Sequence, residues 1–155
     1  MLIGLISDTH GLLRPDVHTA LAGVELILHA GDVGGPEILE ELGLIAPVRA
    51  VLGNTDDPSA PGLVPLIELT LGGLLVHVSH GHEVGRPNAA RLAAAYDADV
   101  IVYGHTHVQR LDRVGARLVV NPGAAGPRRF DLMPSVARLE IAKGAAAATF
   151  VTLAP

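Results

Sequence analysis

The chain has 155 residues, of which 49% are hydrophobic and 17% charged, and its formal net charge is −5 at pH 7 with Lys143 as its single lysine. That length and balance predict one domain, 1–155, with a substantial core and exclude a disordered chain. Cysteine is absent, which excludes disulfides and thiolate metal sites, so a metal here must be held by nitrogen and oxygen.

Residues 2–7 form a continuous apolar run, as in a strand covered on both faces. The run is too short, and too poor in basic flanks, for a signal peptide. No stretch reaches the ~18 to 20 apolar residues of a membrane helix, so a cytoplasmic protein without membrane contact is expected. Residues 14–23 predict a helix, with Pro15 near its start and Gly23 near its stop. Residues 24–32 read as the next strand and its exit turn. A second helix follows at 35–44, with Pro36 early and Gly43 late, and then a third strand at 47–54. Residues 65–81 read as two strands joined at Gly72-Gly73. A helix at 86–98 and a short buried strand with its loop at 99–107 come next. Four antiparallel strands, 108–114, 116–123, 135–142 and 146–153, complete the chain, with turns at Gly115 and Lys143-Gly144. Parallel βαβ units followed by hairpins predict mixed sheets with helices outside.

Five apolar runs end alike: ISDTH (6–10), LHAGD (28–32), VLGN (51–54), VSHGH (78–82) and VYGHTH (102–107). Each delivers Asp, Asn or His just past a strand, where α/β sheets bind their ligands. Turn chemistry explains the Asp, Asn and Gly but does not call for histidine. Yet His10, His80, His82, His105 and His107, five of the eight histidines, lie in these exits, and His29 sits three residues before Asp32. Carboxylate, carboxamide oxygen and imidazole suit Mn²⁺, Fe, Zn²⁺ or Ni²⁺ better than Ca²⁺. Two adjacent dications need an anion between them, and one carboxylate can give an oxygen to each. Two Asp side chains and a hydroxide leave such a pair about one positive charge, which favours a small anion such as phosphate. The acidic chain, poor in aromatics, argues against a nucleic-acid surface.

In this order, the motifs DTH (8–10), GD (31–32), GN (53–54), HGH (80–82) and GHTH (104–107) resemble the calcineurin-like metallophosphoesterase superfamily, in its small single-domain bacterial and archaeal phosphodiesterase branch. NPG, at 121–123, also fits that branch. The resemblance implies a four-layer α/β/β/α sandwich, two mixed β-sheets flanked by helices. It implies two divalent metal ions, manganese ahead of iron, nickel, zinc or magnesium. One would take Asp8, His10, Asp32 and His107, the other Asp32, Asn54, His80 and His105, with Asp32 as the bridge. His29 and His82 would orient ligands, while His18 and His77 read as structural.

The implied activity is hydrolysis of a small phosphoester, most simply a phosphodiester, by in-line attack of a metal-bridging hydroxide, with Asp32, Asn54 and Asp56 at the reacting centre. Where many relatives carry histidine after Gly-Asn, this chain has Thr55, whose hydroxyl does not titrate near neutral pH. Pro122-Gly123 reads as a plain turn, and Arg128 is a candidate phosphate contact. Two other readings remain open: a protein-binding scaffold, as the fold serves with eroded ligands in the retromer coat, and a nuclease. A homodimer or higher homo-oligomer also fits the resemblance, with no segment marking its interface.

Overall fold

A computed structural model describes residues 1–155. In chain order its strands are β1 (Leu2–Ile6), β2 (Leu26–His29), β3 (Val48–Val51), β4 (Leu63–Val64), β5 (Leu66–Leu71), β6 (Leu74–Ser79), β7 (Val100–Val102), β8 (Arg110–Val114), β9 (Arg117–Asn121), β10 (Ser135–Ala142) and β11 (Ala145–Thr152). Helix α1 (Val17–Ala20) lies between β1 and β2, α2 (Pro36–Leu42) between β2 and β3, and α3 (Ala89–Ala95) between β6 and β7.

The strands form two mixed sheets, as expected. One runs β11-β10-β1-β2-β3-β4, the other β5-β6-β7-β9-β8. In the first, β1 through β4 are parallel and β10 and β11 antiparallel. In the second, β6, β7 and β9 are parallel, with β5 and β8 as antiparallel edges. Side-chain alternation along each strand assigns the layers. Ile3 and Leu5 of β1 join Leu28, Val76, Val78, Val100, Val120 and Leu139 in the core between the sheets. Ile6 and Ile27 point outward, where Leu21, Ile38 and Leu42 cover them from the α1 and α2 side. Leu92 of α3 packs on Ile101 and Val119 of the other sheet. Four layers, α/β/β/α, result. Gly4 shows how closely they approach: a Cβ there would stand 3.1 Å from a Leu21 methyl.

The helices are shorter than the sequence predicts. Around α1, the turns at 14–18 and 19–24 close through i→i−3 bonds, such as His18 N–H to Pro15 C=O and Val24 N–H to Leu21 C=O, so the helical turn tightens rather than extends. The expected helix at 86–98 starts at Ala89 because the Asn88 side chain accepts the Arg91 amide and caps it. It stops at Ala95, where Tyr96 is already extended. Strand β4, which the sequence reading missed, pairs parallel with β3 over only Leu63 and Val64.

Candidate metal centre

Both sheets present the carboxyl ends of their parallel strands to the same edge of the sandwich. Asp8 follows β1, Asp32 follows β2 and Asn54 follows β3; His80 leaves β6, and His105 and His107 lie in the loop after β7. The two sets of loops are tied across the gap. The His80 Nδ1–H donates to the Ala30 carbonyl at 2.7 Å, and the His105 amide donates to Asp8 Oδ2 at 3.1 Å.

Glycines make this approach feasible. A Cβ on Gly53 would overlap Asp32 Oδ1, and one on Gly104 would lie 2.6 Å from Asp8 Oδ2. The Gly that precedes Asn54 or His105 is therefore a packing requirement. Five of the candidate ligands also adopt left-handed backbone: Asp8 (φ 54°), His10 (46°), Asp32 (54°), His105 (72°) and His107 (65°). That region is disfavoured for residues with a Cβ, and such strain concentrates at functional sites.

The side chains converge. Asp8 Oδ1 lies 3.3 Å from His107 Nε2, 3.7 Å from His10 Nε2 and 3.9 Å from His80 Nε2. Asp32 Oδ2 lies 3.6 Å from His10 Nε2 and 3.2 Å from His80 Nε2, between one member of each expected ligand set. The His10 and His107 Nε2 atoms are 3.3 Å apart. His105 Nδ1 is 3.1 Å from Asn54 Oδ1, and its ring centroid is 5.2 Å from that of His80. Two groups have the spacing to hold a metal ion, Asp8–His10–His107 and Asp8–Asp32–His80.

Their electrostatics point the same way. Asp8 is fully buried, yet its Oδ1 has no hydrogen-bond partner, and neither has His80 Nε2. With Nδ1–H committed to Ala30, a neutral His80 turns the lone pair of Nε2 toward two carboxylates, out of hydrogen-bonding alignment. Such an arrangement calls for a proton or a cation in the gap. Burial alone would lower the His80 pKa, but nearby Asp32 and Asp8 raise it. Burial raises the Asp8 carboxyl, but His10, His107, the charge of His80 and the Ser7 hydroxyl outweigh it and hold the group well below the usual carboxylate range. Asp32 balances burial against His80 and the Thr55 amide and falls to about 2. Both carboxylates are thus anionic at neutral pH, and the nitrogen and oxygen donors fit divalent transition metals.

The supporting residues are clear. His29 is fully buried, accepts the Gly31 amide at Nδ1 (3.1 Å) and donates from Nε2 to the Thr9 hydroxyl (3.0 Å), which donates to the Val33 carbonyl (2.7 Å). It therefore acts on the loops that carry Asp8, His10 and Asp32, not on the ligands themselves. Asp56 clamps the same region: its oxygens accept from the amides of Val33 (2.9 Å), Gly34 (3.2 Å) and Gly53 (2.9 Å). The Thr55 amide donates to Asp32 Oδ1 at 2.9 Å. His82 is exposed at the rim, its ring centroid 5.4 Å from that of His80 and 6.2 Å from that of His105. Arg128 is exposed and shares a small crevice with His107. Sequence reasoning missed Asn121 and Ser7. Asn121 Nδ2 donates to the Gly104 carbonyl (3.0 Å) and the Thr106 hydroxyl (3.1 Å), and the Ser7 hydroxyl donates to Asp8 Oδ2 (2.6 Å). The NPG turn was the one available signal for Asn121.

Sandwich and donor cluster together mark a two-sheet α/β protein shaped to hold divalent metal at its strand ends. The model of the calcineurin-like phosphoesterase superfamily domain matches residues 1–144, and the chain belongs to that superfamily. A probable metallophosphoesterase of Methanothermobacter thermautotrophicus is 37% identical over 150 residues, 91% of this chain and 86% of that protein. A phosphodiesterase of Methanocaldococcus jannaschii is 30% identical over 141 residues, 79% of this chain and 83% of that one. The crystal structure of wild-type Vps29 from Entamoeba histolytica complexed with Zn²⁺ superimposes with a TM-score of 0.79 at 27% identity, covering 98% of this chain and 99% of that one. The kinship supports a phosphoesterase that uses divalent metal. No helix is long and apolar enough to cross a membrane.

Proposed function

We propose that the protein is a dinuclear metal-dependent phosphoesterase whose preferred substrates are phosphodiesters, working as a single domain. The observation that supports this best is the convergence of two unpartnered buried atoms, Asp8 Oδ1 and His80 Nε2, with His10, His107 and Asp32. Asp8, His10, Asp32 and His107 would hold one cation, and Asp32, Asn54, His80 and His105 the other. When bound, manganese or a similar dication supplies Lewis-acid polarisation of the phosphoryl oxygens and a hydroxide nucleophile at neutral pH.

The chain's own residues do the rest. The bond to Ala30 fixes the His80 tautomer and points Nε2 inward. His29 and Asp56 hold the loops after β1, β2 and β3 in register, so both are positioning residues. Thr55 offers no titrating proton donor to a departing alkoxide. Diesters with aryl leaving groups, which need little protonation, should therefore react faster than alkyl monoesters.

Metal analysis paired with a panel of phosphoesters under Mn²⁺ tests this. Bis(p-nitrophenyl) phosphate should turn over, and glycerol phosphate should be slower by about 100-fold or more. Asp32→Asn should lose about 10² to 10⁴ in rate. Full activity of that variant at full metal content would reject the assignment. The Vps29 likeness favours one further reading, a non-catalytic binding scaffold, and a metal-loaded protein that hydrolyses no ester would turn the argument to it. Cleavage of single-stranded DNA in the same panel would mark a nuclease instead.

A further inference from the structure

Two crevices are lined by candidate ligands and a third by the residues that follow Asp32 and Asn54 in the chain, and the three differ in charge. One passes His107 beside Arg128 and Arg129. A second, beside His105, has Arg86 in its wall. The third, of about 440 Å³, lies between the loop after β2, the start of α2 and the segment joining β3 to β4, and no lysine or arginine lines it. Its apolar surface comes from Val33, Pro36, Leu39, Ala60 and Leu63. Thr55 ties it to the centre, because this residue belongs to its wall while its backbone amide donates to Asp32 Oδ1 at 2.9 Å.

Two carboxylates also reach this third crevice, and both are engaged. Asp56 is saturated by the amides of Val33, Gly34 and Gly53, and Asp57 accepts from the amide and hydroxyl of Ser59 at 2.9 and 2.8 Å. A guest carrying a second negative charge would meet two carboxylates and no cation here, whereas either of the other crevices offers it arginine. An uncharged arm would meet neither penalty and would cover exposed apolar surface.

We infer that this crevice is a binding subsite for an uncharged, largely apolar ester arm of a phosphodiester, an aryl or alkyl group of ring size, on the hydrolase reading above. The subsite shares no lining residue with the arginine-bearing crevices, so the centre is polarised. A neutral arm enters beside Thr55, and any charged part of the substrate lies toward Arg86 or Arg128.

Ala60→Trp fills the crevice from a half-buried loop position outside the candidate ligand set and its supports. KM for bis(p-nitrophenyl) phosphate should rise about tenfold, while kcat/KM for bis(2,2,2-trifluoroethyl) phosphate, whose arms are smaller than a ring, should change less than about twofold. Equal losses on both esters, or none on either, overturn the subsite. A measurement on the unmodified protein needs no turnover: in chelator-treated protein, benzyl alcohol, which carries the arm without the phosphate charge, should shift the methyl NMR signals of Leu39, Ala60 and Leu63. Those shifts without hydrolysis of any ester would retain the subsite and remove the hydrolase reading. Hydrolysis with unmoved methyl signals would do the reverse.

Discussion

Asn121 directs a fully buried side chain at the loop that carries His105 and His107. Its Oδ1 also accepts the Gly123 amide at 3.0 Å, so one carboxamide joins the end of β9 to the exit of β7. The loop it holds contains two residues in left-handed backbone, which relax when the restraint is removed. Asn121→Ala leaves the Gly123 amide without a partner and the Gly104 carbonyl with the Thr106 amide alone, at a cost of about 1–3 kcal/mol. Because the loop sets where two donors point, Mn²⁺ affinity should fall about 10- to 100-fold. Isothermal titration with Mn²⁺, run beside denaturant unfolding, checks both numbers. Lower stability with unchanged metal affinity would confine Asn121 to a structural role.

At the scale of elements, β2 ends in His29, and its titration should be visible in stability. Burial dominates the shift and lowers the pKa from 6.5 to about 4, against the opposing charges of Asp8 and Asp56. The folded chain therefore keeps His29 neutral where the unfolded chain takes up a proton. Between pH 6.5 and about 4 the unfolded state binds more protons, so stability falls as pH falls through that window and is unaffected above it. The full loss is on the order of 3 kcal/mol. Urea unfolding of chelator-treated protein from pH 7 to 4 should show it, and the gap between wild type and His29→Gln should narrow as the pH drops. A gap independent of pH would refute the shift. The strands that position His29 and the candidate ligands were legible because each is a run of buried apolar residues, and their exits were legible through histidine where turns do not need it. Helix ends were less so, since i→i−3 tightening around α1 leaves no mark on apolar spacing. Asn121 and Ser7 were hidden for another reason: each acts on a residue that only sheet pairing or a backbone turn brings close. The left-handed backbone of Asp8 and Asp32 was hidden because a carboxylate after a strand reads the same at either sign of φ.

At the scale of the whole molecule, neither sheet owns the centre. Asp8, His10, Asp32 and Asn54 come from loops of one sheet, and His80, His105 and His107 from loops of the other. Without a cation, the fold holds two neighbouring anionic carboxylates, an unpartnered buried oxygen and five strained residues at this seam. Each strained residue costs on the order of 1 kcal/mol or more, which the inter-sheet core must offset. A ligand that binds the folded state alone stabilises it by mass action, by about 2.7 kcal/mol at 100 times Kd. For a chain of this length that corresponds to a rise in Tm of about 5–10 °C. Adding Mn²⁺ to chelator-treated protein should produce that rise, and chelation should reverse it. Asp8→Asn gives up the interactions with His10, His107 and His80 that favour the ionised carboxylate in the folded state, so its metal-free form should unfold lower than the wild type, and its response to Mn²⁺ should be largely lost. Coincident fluorescence and circular-dichroism transitions would show that the two sheets unfold together. A metal response retained in Asp8→Asn, or absent from the wild type at millimolar Mn²⁺, would mean that the seam is held closed by packing alone and that its strain serves some purpose other than gripping cations.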